Sequence, residues 1–232
     1  MPEKSRYPAH EFSHADYSTW ICRVRNWLNT QIDKPDYPAH LAGDLAGRID
    51  EFKEAMSKWN ALKSAVGGKY KVYDAAFKAL YKQVVMVKKL LPLLKLDGPV
   101  RGEFRLIGRI ERDRDNFHGR AQGVVNKWNE LCDPDPPVEY EPLKSELDKV
   151  VELFDDFEAA RQEYYETLNA SQQAQNRVLT TRAACHKVER KIFRWYRAHH
   201  PKTTGEWWTA TEWGTSRGRR KKVESSEGRG ES

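Results

Sequence analysis

Apolar residues recur at steps of three and four along most of the chain, which is the spacing of one face of an α-helix. This pattern predicts helical segments at about residues 8–32, 38–66, 69–96, 100–131, 142–170 and 172–199. No window shows the strict alternation that is typical of a half-buried strand. The sequence therefore predicts an all-α fold, a bundle of about six amphipathic helices.

Glycine and proline mark the predicted breaks between these helices. Gly67 and Gly68 follow the second apolar pattern, and we interpret them as the turn of an antiparallel hairpin between the second and third helices. The fifth and sixth helices form a second predicted hairpin. Between the hairpins, the stretch CDPDPPVEYEP at 132–142 contains four prolines. It is typical of a linker, because proline does not continue a helix.

These breaks divide the chain into predicted regions. An N-terminal helical bundle takes residues 1–131, and the linker takes 132–142. A second hairpin with a tryptophan-rich arm, packed on the first bundle, takes 143–215. The last predicted region, 216–232, is rich in Gly, Ser, Arg and Glu and is expected to be a disordered basic tail.

The central segment at 100–131 is less regular than the others. Its stretch ERDRDNFHGR at 111–120 has no apolar stripe. The pattern predicts a long exposed helix there, or a break near Gly119. Paired carboxylates in this stretch are compatible with acid–base chemistry or with a divalent metal, but we favour a solvated helix face with charges of both signs.

Composition narrows the class of protein. Hydrophobic residues make up 39% and charged residues 32%, with a mean hydropathy of −0.84. No stretch approaches the roughly 18 apolar residues of a membrane span, and the N-terminus lacks the apolar segment of a secretory signal. We therefore expect a cytoplasmic protein without a membrane segment. Cys22, Cys132 and Cys185 are far apart, which favours reduced thiols over a disulfide or a zinc knuckle.

Three stretches, DEFKEAMSKWNAL, FKALYKQVV and FRWYRAHHP, carry a resemblance to other proteins. In them the chain is similar to uncharacterised bacterial all-helical proteins that are built from paired helical hairpins. The resemblance covers about half of the chain. It implies a helical bundle, and it implies no activity, cofactor or site residues.

The stretch HEFSH at 10–14 fits the pattern H-E-x-x-H. On a helix, His10 and His14 share one side and are able to bind zinc, with Glu11 activating a water molecule. However, the spacing indicates no third ligand, and the motif begins at residue 10, just after Pro8. We favour two histidines that extend the apolar stripe of the first helix, and we predict no metal, no cofactor and no catalytic residue.

The C-terminal segment places Trp207, Trp208 and Trp213 before a basic run. The tryptophans either pack on their own domain or bind a partner, because aromatic anchors dominate both cores and interfaces. The basic run either contacts the phosphates of a nucleic acid or forms a solvated terminus. Its residues are Arg217, Arg219, Arg220, Lys221 and Lys222.

The distribution of charge bears on these alternatives. The chain has a net charge of +6, and half of that excess, +3, lies within residues 217–232. The rest of the chain is therefore not strongly basic, which weakens nucleic-acid binding as a main function.

Together these observations predict a non-catalytic helical adaptor or accessory subunit that acts through protein–protein interaction, with another protein or with a second copy. RNA or DNA binding through the basic tail, helped by surface residues such as Lys88 and Lys89, is the alternative. A zinc-dependent hydrolase is less favoured.

Overall fold

The computed structural model describes residues 13–34, 36–94, 104, 106, 110, 112–133 and 138–199. Within them lie four α-helices, α1 (His14–Asn29), α2 (Ala39–Leu90), α3 (Arg114–Leu131) and α4 (Lys144–His199). Two short 3-10 helices follow α2 and precede α4, at Leu91–Leu93 and Val138–Leu143. The described residues include no strand, so the prediction of an all-α fold is confirmed.

Helix α2 passes through Gly67 and Gly68 without interruption, so the predicted hairpin at these glycines is wrong. A glycine in a helix interior costs only about 1 kcal/mol relative to alanine. A helix of 52 residues tolerates that cost, and a Cβ atom added at either glycine would meet no atom of another part of the chain within 4 Å. The stronger signal is Pro92, which lies in the short turn at the end of α2.

Helix α4 is also continuous, so the second predicted hairpin and the number of six helices are wrong. The prediction placed a break between residues 170 and 172, in a stretch that has no large apolar side chain. In the structure Ser171 and Ala174 are buried, so small side chains continue the stripe. Neither glycine nor proline occurs in α4 to end the helix earlier.

The described residues form two compact units. Unit 1 consists of the residues up to Lys58 together with those from Gln175 onward, and unit 2 consists of Trp59–Ala174. Each unit contains three helical segments, because α2 and α4 contribute to both while α1 belongs to unit 1 and α3 to unit 2. These limits differ from the predicted regions 1–131 and 143–215, whose independence as domains stays a prediction.

Unit 1 begins with a capped helix. The side chain of Ser13 accepts a hydrogen bond from the backbone N–H of Asp16 at 3.1 Å, which satisfies one of the free donors at the start of α1. Most positions of the predicted apolar stripes of this unit are buried, although Met56 and Trp195 are only partly buried. The buried residues at those positions are Tyr17, Ile21, Val24, Leu28, Leu41, Leu45, Ile49, Phe52, Val178, Cys185, Val188 and Ile192.

Unit 2 has an aromatic core between α2 and α4. Tyr73 stacks on Phe157 and on Tyr164, with ring centroids 5.5 Å apart in both pairs. Phe77 meets the edge of Phe117 of α3 at 5.3 Å. Offset and edge-to-face ring pairs of this kind add to the stabilisation that burial of the rings provides.

Helix α3 continues through Gly119, so the predicted break is wrong. The alternative, a long exposed helix, holds only in part, because most described residues of 112–120 are exposed whereas Phe117 is buried. Asp113 caps the helix by accepting a hydrogen bond from the backbone N–H of Asn116 at 3.0 Å. An apolar stripe starts at Phe117 and continues in steps of three and four. Its buried residues are Phe117, Ala121, Val124, Val125 and Trp128.

Among the described helices, none combines the length and the apolarity that crossing a lipid bilayer requires.

Candidate functional site

The carboxylate of Glu189 on α4 is the central polar group in the core of unit 1, and this residue is 0% exposed. It accepts hydrogen bonds from Trp20 Nε1 at 2.6 Å and from the hydroxyl of Tyr17 at 3.3 Å, both on α1. The Nδ1 atom of His186, one turn earlier on α4, lies 3.2 Å from the same carboxylate. Since the donors come from two helices, these bonds fix the position of α1 against α4.

Arg182 extends this cluster toward the start of α1. Its guanidinium carbon lies 4.8 Å from the centroid of the Tyr17 ring, and its Nη1 lies 3.1 Å from Nδ1 of His14. Burial lowers the pKa of His14, and the positive charge of Arg182 lowers it further. Neutral His14 therefore accepts a hydrogen bond from Arg182, and the neighbouring cation opposes binding of a zinc ion at this ring.

The hydroxyl of Tyr17 and the thiol of Cys185 are both held in their protonated forms. Burial and then the charge of Glu189 raise the pKa of Tyr17. The same two causes raise the pKa of Cys185 to about 12. The Sγ of Cys185 donates to the backbone carbonyl of Arg48 on α2 at 3.1 Å. A buried thiol in this state is not a nucleophile at neutral pH.

A carboxylate, a phenol and an imidazole at these distances are able to transfer protons to one another, but the cluster lies inside the core of unit 1. Both Tyr17 and Glu189 are 0% exposed, so a substrate has to displace α1 to reach them. We therefore assign the cluster to holding the helices of unit 1 together. Sequence reasoning missed Glu189. A signal was present on one side of α1, because Tyr17 and Trp20 are aromatic residues with polar tips, which indicates a buried hydrogen-bond acceptor.

Arg114 at the start of α3 connects α3 to α2 in unit 2. Its guanidinium carbon lies 5.1, 4.8 and 5.2 Å from the ring centroids of Tyr70, Tyr73 and Phe77, and it forms an ion pair with Asp74. The side chain is 27% exposed. The expectation of a solvated face is therefore wrong for this residue, which pairs with another helix.

A groove lies between α2 and α4 on the surface of unit 2, with a volume of about 600 Å³. Helix α3 contacts Phe77 and Tyr81 on another side of α2, so α3 does not cover this groove. Small and apolar side chains form the floor, and charged side chains form the rims. The lining residues are Lys71, Val72, Ala75 and Ala76 of α2 and Asp156, Ala159, Ala160 and Glu163 of α4.

A second surface feature lies on α4 in unit 1. It is a depression of about 310 Å³ lined mainly by basic side chains. The lining residues are Ala183, His186, Lys187, Arg190, Lys191 and Arg194. Sequence reasoning missed this feature, because the charge of the whole chain conceals how unevenly the charge is distributed along α4.

Most residues that the sequence singled out lie outside the described part of the chain. This applies to the tryptophans Trp207, Trp208 and Trp213, to the basic run Arg217, Arg219, Arg220, Lys221 and Lys222, and to His10 and Glu11. His14 is described, at the position given above. Within the described ranges, no three or more His, Cys, Asp or Glu side chains come together as a possible metal site.

No protein-family model, no curated protein and no solved structure matches this chain. The contacts, exposure and charges of the described residues are therefore the basis for assigning a function.

Proposed function

We propose that the protein is a non-catalytic helical adaptor or accessory subunit that acts through protein–protein interaction, and that the groove of unit 2 binds a second copy of the chain. The observation that supports this proposal is the composition of the groove. Alanines form its floor, and Val72 on its edge is 56% exposed. Short side chains allow another helix to approach closely, and exposed apolar surface of this kind is typical of contact sites.

The charges on the two rims favour a second copy as the partner. Lys71 stands on the α2 rim, whereas Asp156 and Glu163 stand on the α4 rim. A two-fold axis parallel to the helices places α2 of one copy opposite α4 of the other. The basic rim of each copy then faces the acidic rim of its partner, and the favourable pairing occurs twice, as in other isologous dimers.

Sedimentation velocity of the full chain over a range of concentrations tests this arrangement. We expect the unmodified protein to form a dimer, and we expect the double variant Ala75→Glu/Ala159→Glu to remain a monomer at concentrations where the unmodified protein associates. Both substitutions place a carboxylate on the floor of the groove, where a partner helix would have to bury it. An unpaired buried charge costs several kcal/mol, which is enough to abolish an ordinary dimer.

Asn169→Glu/Gln172→Glu is the matched control, because it adds two carboxylates at exposed positions of α4 that do not line the groove. This variant is expected to dimerise like the unmodified protein. A monomeric unmodified protein at all concentrations, or equal association of all the proteins, would show that the groove does not bind a second copy.

The tryptophans Trp207, Trp208 and Trp213 stay a predicted partner-binding segment in addition to the groove. Their replacement by alanine in the full chain separates the two surfaces. Loss of association in this variant alone would assign the interaction to the C-terminal segment, while the general function as an adaptor would stand.

A further inference from the structure

Charge is divided sharply along α4. Its segment in unit 2, 144–174, contains three basic and eight acidic residues, whereas its segment in unit 1, 175–199, contains seven basic residues and one acidic residue. That single acidic residue is Glu189, whose carboxylate is turned into the core and is 0% exposed. The outer face of α4 in unit 1 is therefore basic, with no acidic side chain of its own segment on the surface.

We propose that this face binds the phosphate backbone of a nucleic acid through Lys187, Arg190, Lys191 and Arg194. The four residues are exposed and follow one another at steps of three, one and three, which places them on one side of the helix. They line the depression on α4 described above. This proposal is independent of the self-association of unit 2.

The four charges are not neutralised within the described part of the chain. No ion pair among the described residues includes any of them, while acidic residues of the other segment, such as Glu158 and Glu163, do form ion pairs. Like charges three and four residues apart on a helix repel one another. The helix dipole favours cations in the last turn of α4, at Arg197 and His199, but its influence does not extend back to Lys187. A polyanion relieves this repulsion.

The chemistry of the patch favours a nucleic acid over an acidic protein. Protein interfaces have aromatic or apolar anchors at their centre and are depleted in lysine. The lining of this depression contains a single apolar residue, the small Ala183, at one end of the depression. Binding to a phosphate backbone needs charge alone and no such anchor.

The spacing is also suitable for a nucleic acid. From Lys187 to Arg194 the helix rises about 10 Å, and a DNA duplex carries about six backbone charges over that length. Four phosphate contacts predict that log K falls with log salt with a slope of about −3.6 for a duplex. Between about 50 and 200 mM salt this slope corresponds to a loss of affinity of roughly 150-fold.

Fluorescence anisotropy with labelled DNA and RNA, each as a duplex and as a single strand of random sequence, tests the proposal on the full chain. The quadruple variant Lys187→Gln/Arg190→Gln/Lys191→Gln/Arg194→Gln is expected to bind at least about tenfold more weakly, with a clearly shallower salt slope. The four nucleic acids distinguish DNA from RNA and paired from unpaired strands. Circular dichroism verifies that the variant keeps its helical content.

The matched control replaces four exposed lysines of α2, Lys53, Lys58, Lys63 and Lys82, by glutamine. This control and the quadruple variant each remove four positive charges from the chain. Both leave the C-terminal basic run intact. The control is expected to retain the affinity and the salt slope of the unmodified protein.

Three results would overturn the proposal. The first is an absence of binding to all four nucleic acids at low salt. The second is an equal loss of affinity in the quadruple variant and its control, which would assign binding to net charge. The third is equal displacement of the nucleic acid by polyglutamate at the same charge concentration, which would indicate an acidic protein as the ligand.

Discussion

Units 1 and 2 each pack three helical segments, but they fill their cores in different ways. Unit 1 places a carboxylate, Glu189, among aromatic donors from α1. The core of unit 2 instead contains packed aromatic rings, among them Tyr73, Phe77 and Phe157. Both cores remove apolar surface from water, but the first adds several hydrogen bonds to one fully buried carboxylate, whereas the second adds contacts between aromatic rings.

This difference has a structural consequence. A hydrogen-bonded carboxylate is satisfied only when Trp20 and Tyr17 point toward it, so unit 1 accepts few alternative alignments of its helices. Apolar rings gain similar free energy in several arrangements. In unit 2, Arg114 fixes the orientation of α3 against α2, because it pairs with Asp74 and lies over the rings of α2.

The largest expected effect is in unit 2. Phe117→Ala removes a fully buried ring that meets Phe77 and Tyr81, and it should lower the free energy of unfolding by about 3–5 kcal/mol. Denaturation with urea, followed by circular dichroism, measures the change. Phe117→Leu keeps most of the apolar volume and should cost less than about 1.5 kcal/mol. Equal losses in the two variants would show that the ring itself, rather than its volume, is required.

The stability of unit 1 should fall even when a substitution leaves the side-chain volume unchanged. Glu189→Gln keeps the shape of the side chain but replaces a charged acceptor by an amide, and we expect a loss of about 1.5–3 kcal/mol. Glu130→Gln in unit 2 is the control, because Glu130 is 71% exposed in its ion pair with Lys127, and such pairs contribute about 0–1 kcal/mol. Similar losses in both variants would contradict the contrast between the two cores.

The smallest expected effect is the pH dependence that His14 contributes to unit 1. Its pKa in the folded protein lies below the ordinary value of 6.5, so the unfolded chain binds more protons between the two pKa values. The contribution of His14 to stability is therefore complete above pH 6.5 and is lost as the pH falls through the folded pKa. Between about pH 8 and pH 5, His14→Gln should lose less stability than the unmodified protein. Identical pH profiles would show that His14 does not carry this dependence.

The sequence predicted the all-α fold and most core positions, because steps of three and four require no knowledge of the partner helix. Ile49 and Phe52 in unit 1, and Leu80 and Val84 in unit 2, are buried as their spacing indicated. The ends of the helices were predicted less well. Gly67 and Gly68 permit a turn without enforcing one, so their effect depends on contacts that a single sequence does not show.

The candidate sites were harder to predict than the fold. The two partners of Glu189 on α1 lie more than 160 residues away in sequence, and only folding brings Tyr17 and Trp20 beside it. The groove of unit 2 likewise combines side chains of two helices. The basic face of α4 is different, since all four of its charges lie within eight residues, and charge counted segment by segment reveals it.

The uninterrupted course of α2 affects how that helix opens. No residue from Met56 to Val72 is buried, so the amides in this stretch are protected chiefly by the hydrogen bonds of the helix itself. Their hydrogen exchange reports the breathing of single turns, while exchange around Leu80 and Val84 requires that the surrounding core separates. A protease that needs an extended substrate would therefore cleave α2 first near its two glycines.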